Sequence, residues 1–350
     1  MVVIPVFVPH KGCPFDCIYC NQKIISGETE EMTEEKMRAI IEEHLSSLNY
    51  DSDVEIGFYG GSFTGIDRGL QRGLLEAAND YIKDGRVRGI RLSTRPDYID
   101  VETLGFLKEY NVHTIELGVQ SIDEEVLKVS CRGHSARDVV RASELVKQAG
   151  FTLGIQTMIG LPGDTREKDL KTAMEVVRLS PAIVRIYPTL VIRYTHLEKL
   201  FRQGQFTPLS LEDAVDICAE LIELYHSEGI NVIRVGLQPT ENVSEKGEVV
   251  AGPFHPAFRQ LAESRIMLRR IEEKIKTGKL GKSDEIIVYT GSKNISNVTG
   301  QKRSNINYLK EKYSIGRIIV KPRDDLEGYA CDVIPLKHQH IACEVKQNAH

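Results

Sequence analysis

The sequence predicts an α/β fold built on a parallel β-sheet. Short runs of β-branched and apolar residues alternate with longer amphipathic stretches from the N-terminus to about Val235, as in strands joined by crossover helices. The runs are nearly continuous in apolar residues, which is typical of strands buried on both faces. Parallel strands joined in this way form an open sheet or a barrel, and in both cases ligands bind at the carboxyl ends of the strands.

Seven runs are predicted strands, and six strand–helix units are the minimum count. The strands are residues 2–9, Val54–Tyr59, Gly89–Thr94, Thr114–Gly118, Thr152–Met158, Ile183–Tyr187 and Asn231–Val235. Helices between them are expected to begin where an oxygen acceptor is followed three residues later by an acid. These pairs are Ser135 with Asp138, Asp164 with Glu167, and Ser210 with Asp213.

The composition is ordinary for a globular protein, with 41% hydrophobic and 27% charged residues. No apolar run approaches the roughly 20 residues that cross a bilayer, so we expect no membrane partner. The first residues, MVVIPVFVPHKG, have neither a basic leader nor a small-residue cleavage site, and we expect a cytoplasmic protein. The chain of 350 residues exceeds the usual size of one core, which predicts a main domain over residues 1–276 and a smaller one over 277–350.

Three of the seven cysteines form the most informative motif. Cys13, Cys17 and Cys20 have the spacing C-x3-C-x2-C in a loop directly after the first predicted strand. In a chain without export signals, clustered cysteines indicate metal ligands or reactive thiols rather than disulfides. Three thiolates suit an iron–sulfur cluster with one iron left open for another ligand, or, together with His10, a zinc ion. The other cysteines are isolated in the sequence.

This motif, with the aromatic Tyr19 before its last cysteine, resembles the signature of the radical S-adenosylmethionine (SAM) superfamily. The resemblance implies an incomplete (β/α)6 parallel barrel in which Cys13, Cys17 and Cys20 hold a 4Fe-4S cluster. In that family SAM chelates the open iron, and an electron from the cluster cleaves SAM to methionine and a 5′-deoxyadenosyl radical. An enzyme of this kind also needs a reductant for the cluster.

The resemblance also implies a SAM site at the strand ends, formed by Tyr19, Gly60, Gly61, Ser93, Gln120, Arg132 and Gln156. Gly60 and Gly61 resemble the family's glycine motif, and Arg132 resembles an arginine that pairs with the SAM carboxylate. Gln156 occupies the place where relatives use a polar residue near the ribose. The residues alone leave alternatives open: a simple turn at the two glycines, a surface charge at Arg132, and a hydrogen-bond partner in the neighbouring strand for Gln156.

Three further stretches, Ile115–Ser121, Cys131–His134 and Tyr187–Arg193, resemble the radical SAM half of the Elongator catalytic subunit. That group modifies wobble uridine in transfer RNA, which implies an RNA substrate here. Two features depart from the group, because the cysteine spacing is shorter and the tail has no room for an acetyl-CoA-binding domain. Two other functions stay open: a small-metabolite enzyme resembling coproporphyrinogen oxidase, and a zinc-containing RNA-binding protein without catalysis.

The C-terminal tail is the basic part of the chain. Residues 278–350 contain 12 Lys and Arg against 8 Asp and Glu. Residues 285–321 are predicted to form strand, short helix, basic turn, helix and strand, which resembles a KH domain with its G-x-x-G turn. Arg303 stands where the second glycine is expected, and we expect Lys302 and Arg303 to attract RNA phosphates. The alternative is that the tail is a small packing domain whose positively charged face is exposed to solvent and binds no RNA.

Overall fold

The first part of the chain forms one parallel sheet. The structure, a computed structural model, describes residues 2–8, 17–21, 31–49, 53–237, 247–280 and 285–336. The sheet contains β1 Val2–Phe7, β2 Val54–Tyr59, β3 Gly89–Thr94, β4 Val112–Gln120, β5 Thr152–Ile159, β6 Ile183–Pro188 and β8 Asn231–Val235. The strands pair in that order and the sheet curls into a half-barrel. The predicted incomplete parallel barrel is therefore confirmed.

The helices that precede β8 in the chain are α1 Glu34–Ser46, α2 Arg68–Lys83, α3 Val101–Glu109, α4 Glu124–Val129, α5 Ala136–Gln148, α6 Arg166–Leu179, α7 His196–Arg202 and α8 Leu211–Ser227. The predicted caps at Ser135 and Ser210 are confirmed, because each side chain accepts a hydrogen bond from the backbone three residues on. The predicted cap at Asp164 is wrong, since Thr165 caps α6. The Asp164 carboxylate instead accepts a hydrogen bond from the Thr165 amide at 2.9 Å.

The two faces of the sheet differ in polarity. Ile56 and Phe58 of β2 and Leu92 of β3 are fully buried. Alternate residues of a strand point to opposite faces, so Glu55 and Arg91 lie on the other side of these strands. Charged groups therefore occupy the inside of the half-barrel. A ligand inside the half-barrel would therefore contact polar and charged side chains.

A small antiparallel pair lies beyond the carboxyl edge of the sheet. It joins β7, Val191–Ile192, to β9, Val249–Ala251. An apolar cluster of Ile18, Val191 and Leu197 packs here, with Tyr19 partly buried against it. The pair was not predicted, and it places the segment after β6 against the cysteine-containing loop.

The chain divides into two compact units, Met1–Ile217 with Leu224–Pro256, and Cys218–Glu223 with Ala257–His350. The second unit contains α9 Phe258–Thr277, β10 Glu285–Thr290, α10 Ile295–Thr299, α11 Ser304–Tyr313, β11 Arg317–Pro322 and β12 Cys331–Pro335. Its sheet has the order β11-β10-β12, and the residues Met267, Ile271 and Ile275 of α9 belong to its core. The domain boundary at residue 276 stays a prediction. Across both units, no helix in the described ranges has the length and apolar composition to cross a membrane.

Candidate functional site

The loop that contains Cys17 and Cys20 is held at the carboxyl edge of the sheet. A backbone hydrogen bond from Cys20 to the Cys17 carbonyl, 2.9 Å long, closes a tight turn. The Ile18 amide donates to the Ser130 carbonyl at 3.3 Å, and the Leu197 amide donates to the Ile18 carbonyl at 2.7 Å. The turn is thus fixed to the loop after α4 and to α7. The third predicted ligand, Cys13, lies outside the described residues.

Arg132 is buried beside this loop and is not a surface charge. Its side chain donates one hydrogen bond to the Cys17 sulfur at 3.5 Å and another to the Gly118 carbonyl at the end of β4. Only 8% of Arg132 is exposed. Cysteine sulfur is a common ligand of metal ions and iron–sulfur clusters. The surroundings of Cys17 therefore suit a metal ligand.

Tyr19 lies between the two described cysteines and the apolar cluster of Ile18, Val191 and Leu197. Burial raises the pKa of its hydroxyl above the ordinary tyrosine value. The hydroxyl oxygen is shielded from solvent. The Tyr19 side chain is therefore an uncharged group next to the two described cysteines.

Gln120 and Gln156 meet inside the half-barrel. The Gln156 amide donates to the Gln120 side-chain oxygen at 3.3 Å, because β5 pairs in register with β4 so that Gln156 lies next to Gly118. The neighbouring-strand partner considered for Gln156 is therefore present. Gln120 has a left-handed backbone with φ 69° and is 4% exposed. The two hydrogen-bonded amides form one polar surface close to the contact between Arg132 and the Gly118 carbonyl.

His134 fixes the same end of β4. Its Nε2 lies 3.2 Å from the Val119 carbonyl, and 5% of the residue is exposed. Burial, assisted by the Arg132 charge, lowers the pKa of His134 to about 3. The imidazole is therefore neutral near pH 7, with Nε2 protonated and donating. Arg132 and His134 together hold two successive carbonyls immediately before Gln120.

Gly60 lies at the end of β2 and needs to be glycine. Its φ is 112°, and an added Cβ would approach the Val8 carbonyl oxygen to 2.7 Å. The chain therefore turns here with bare backbone toward the carboxyl edge, next to Gly61. A turn alone explains this geometry, so binding of SAM by the two glycines stays a prediction. The following Ser62 bonds the Thr94 hydroxyl at 2.7 Å, which ties the turn to β3.

Ser93, the remaining predicted contact, shares a face of β3 with Arg91 because alternate strand residues point the same way. It pairs in register with Glu116 of β4. The structure thus brings the described candidates Tyr19, Gly60, Ser93, Gln120, Arg132 and Gln156 to the interior or the carboxyl edge of one half-barrel. Which of them contact a cofactor stays a prediction.

A cluster of charges inside the half-barrel was missed by the sequence reasoning. Arg91 donates to Glu55 at 2.7 Å and to Glu116 at 3.3 Å. Arg185 donates to the same Glu116 oxygen at 3.0 Å and to the Tyr59 hydroxyl at 2.8 Å, and Tyr59 bonds Glu116 at 3.1 Å. Charged residues within apolar strands were the available signal. The two arginines and two glutamates balance, so this part of the interior carries no net charge.

The residues fit the cofactors that the sequence resemblance implied. Cys17 offers a sulfur next to a buried cation, and the turn at Gly60 leaves no room for any side chain. Arg132 and the paired glutamines are fixed donors and acceptors at the same edge. Thiolates are the usual ligands of iron–sulfur clusters, and a fixed guanidinium suits a carboxylate.

The predicted RNA-contacting turn lies in the second unit. Lys302 and Arg303 are exposed and both have left-handed backbone, with φ 49° and 65°. An added Cβ on Gly300 would come within 2.5 Å of the Ser304 hydroxyl. The turn therefore requires its first glycine and presents two adjacent cations. Its binding to RNA stays a prediction.

Comparisons with known proteins identify the family and the fold. A family model described as the radical SAM superfamily matches residues 7–176, and one described as the radical SAM C-terminal domain matches residues 181–269. The archaeal Elp3 structure from Methanocaldococcus infernus, with an N-terminal deletion, has a TM-score of 0.60 at 23% identity. It covers 79% of this chain and 63% of that one, which shows a common fold.

Curated relatives include enzymes of transfer RNA modification. The tRNA uridine(34) acetyltransferase of Methanocaldococcus infernus is 29% identical over 196 residues, 50% of this chain and 37% of that protein. The same-named protein of Dehalococcoides mccartyi is 28% identical over 242 residues, 59% of this chain and 53% of its own length. The chain thus spans about half or less of these relatives. It belongs to the radical SAM superfamily, whose enzymes bind a 4Fe-4S cluster and SAM.

Proposed function

We propose that the protein is a radical SAM enzyme whose substrate is RNA. The observation that carries the radical SAM site is the buried contact between Arg132 and Cys17 at the carboxyl edge of the sheet. When bound, the 4Fe-4S cluster and SAM supply a 5′-deoxyadenosyl radical, the reagent of this superfamily. The protein's part is to hold both groups in place and to keep the site shielded.

Three cysteines hold the cluster in this proposal, namely Cys13, Cys17 and Cys20. Arg132 pairs with the SAM carboxylate and also contacts the Cys17 sulfur. The bare backbone of Gly60 and Gly61 receives the SAM amino group. Ser93, Gln120 and Gln156 offer hydrogen bonds from inside the half-barrel to the nucleoside part of SAM, and Tyr19 closes the pocket next to the cysteines.

The RNA part of the proposal is supported by the relatives that act on transfer RNA by name. The exposed cations Lys302 and Arg303 of the second unit also support it, because phosphate contacts supply much of the affinity for nucleic acids. Acetyl transfer is not carried over, since the matched segments cover only part of those enzymes. We further propose that the enzyme works in the cytoplasm with a separate electron donor.

The test is whether RNA accelerates SAM cleavage. Anaerobically reconstituted protein is given dithionite, SAM and either unmodified tRNA transcripts or DNA oligonucleotides of the same sequence. We expect tRNA to increase the formation of 5′-deoxyadenosine and to acquire a mass change in one nucleoside, whereas DNA does neither. Unchanged cleavage and unaltered tRNA would contradict an RNA substrate and would favour a small metabolite.

A further inference from the structure

Tyr194 is an exposed aromatic residue in the loop between β7 and α7. It is 76% exposed, the highest value among the large hydrophobic residues that the structure describes as exposed. An exposed tyrosine is not unusual by itself. Its backbone is unusual, because φ is 61°, a left-handed conformation that glycine adopts without cost and a bulky residue does not.

The surrounding residues hold Tyr194 in this conformation. The Tyr194 amide donates to a Glu198 carboxylate oxygen at 2.7 Å. The next residue, Thr195, donates its hydroxyl proton to the Ile192 carbonyl at 2.6 Å and caps α7. Thr195 and Glu198 are both buried. The aromatic side chain is therefore held outward on a fixed backbone rather than on a loose loop.

This loop adjoins the cysteine-containing turn. The Asn21 side chain donates to the Arg193 carbonyl at 3.4 Å. Two residues beyond Tyr194, the backbone of α7 begins, and its Leu197 amide bonds Ile18 at 2.7 Å. Asn21 directly follows Cys20, and Arg193 directly precedes Tyr194. The hydrogen bond between Asn21 and Arg193 therefore places Tyr194 on the rim of the proposed radical site.

Basic residues lie close to Tyr194 along the chain. Arg193 and His196 are exposed neighbours in sequence, and Lys199 is exposed one turn further along α7. The Arg193 side chain pairs with Glu248 at 2.8 Å, yet 44% of it remains exposed. Large contiguous apolar patches are the usual marks of protein-binding sites, and a single exposed ring is not such a patch. An exposed aromatic ring with basic residues close by in the chain matches the way single-stranded nucleic acids are bound, by base stacking and phosphate attraction.

We propose that Tyr194 is a stacking platform for one unpaired base of the RNA substrate at the rim of the radical site. Arg193 and Lys199 attract the phosphates on either side of that base. Stacking next to the cysteine-containing turn holds the strand where a neighbouring nucleotide enters the half-barrel. This inference rests on the proposed RNA substrate and adds to it a residue that positions the strand.

The test separates base stacking from phosphate attraction. Binding of two fluorescein-labelled probes is measured by anisotropy with reconstituted protein: a 12-nucleotide oligouridine and an abasic ribose-phosphate strand of equal length. Wild type is expected to prefer oligouridine. Tyr194→Ala should lose roughly 5- to 140-fold in affinity for oligouridine, the equivalent of one stacked base, and bind the abasic strand as wild type does.

Three further variants make the test specific. Tyr194→Trp should keep the preference for oligouridine, because another aromatic ring restores stacking. Tyr194→Gly should lose the preference yet raise the melting temperature, since glycine accepts the left-handed backbone; a purely structural tyrosine would lower it. Met174→Ala, which shortens a half-exposed side chain on α6, should change neither probe's binding.

The possible results are distinct. If wild type binds oligouridine and Tyr194→Ala binds it equally well, the platform is refuted while an RNA substrate stands. If Tyr194→Ala weakens both probes alike, the residue acts through folding or charge and the platform is again refuted. If wild type binds neither oligouridine nor tRNA, the proposed RNA substrate fails and the platform fails with it.

Discussion

Glu116 is the shared anion of the charge cluster inside the half-barrel, and Glu116→Gln tests how much that cluster contributes to stability. The carboxylate accepts hydrogen bonds from Arg91, Arg185 and Tyr59. Its side chain is 4% exposed, and those of Arg91 and Arg185 are 3% and 12% exposed. A glutamine at position 116 keeps the shape of the side chain but removes its charge. Of the cluster described above, the two buried arginines then retain one carboxylate, that of Glu55.

The expected loss follows from burial. Removing one partner of a buried ion pair costs about 3 to 5 kcal/mol, because the remaining charge is left without compensation. The glutamine NH2 group also faces a guanidinium, which is itself only a donor. We therefore expect Glu116→Gln to lower the free energy of unfolding by about 3 to 5 kcal/mol.

The matched control is Glu42→Gln. Glu42 forms a similar pair with Arg86 at 2.7 Å, but the two side chains are 52% and 43% exposed, so the expected loss is only about 0 to 1 kcal/mol. Because the chain contains no tryptophan, unfolding in urea is followed by circular dichroism for wild type and both variants. Equal losses for Glu116→Gln and Glu42→Gln would refute the reasoning.

Three further predictions concern single features of the site. The lowered pKa of His134, about 3 against an ordinary 6.5, means that its contribution to stability is complete above pH 6.5 and is lost as pH falls toward 3. Wild type should therefore lose roughly 2 kcal/mol more than His134→Gln between pH 7 and pH 5, and parallel urea-unfolding curves for the two proteins would contradict this. Arg132→Ala should weaken SAM binding by about 1.5 to 3 kcal/mol, the value of a hydrogen bond to a charged group; a titration with undiminished affinity at normal iron content would remove Arg132 from the SAM site. Lys302→Ala with Arg303→Ala should reduce the slope of log affinity for single-stranded RNA against log salt by up to about 1.4, and an unchanged slope would exclude this turn.

Much of the barrel could be predicted because each strand has a local sequence pattern. The β2 residues Val54–Tyr59 and the β3 residues Gly89–Thr94 were predicted with their observed bounds, since buried parallel strands are short apolar runs between turn residues. The pair β7 and β9 was missed because two or three residues show no periodicity. At Asp164 two adjacent acceptors, Asp and Thr, satisfy the same capping pattern, and the sequence does not rank them.

The interior of the site was less predictable because it depends on register. The cysteine motif is local, and its position after β1 was visible in the sequence. The pairing of Gln156 with Gln120, and of Glu116 with both Arg91 and Arg185, requires knowing which strands are neighbours and how they align. Similarly, the burial of Arg132 arises from its contacts with Cys17 and Gly118, residues far away in sequence.

The most direct test of the account is SAM cleavage by the cysteine variants. Protein is reconstituted anaerobically with iron and sulfide, reduced with dithionite and given SAM, and 5′-deoxyadenosine is measured together with iron, sulfide and zinc content. We expect wild type to contain iron and sulfide and to form 5′-deoxyadenosine, and we expect the triple change of Cys13, Cys17 and Cys20 to Ala to abolish the cluster and the cleavage. Undiminished cleavage by the triple variant, or a wild type that holds zinc and cleaves no SAM, would contradict the account.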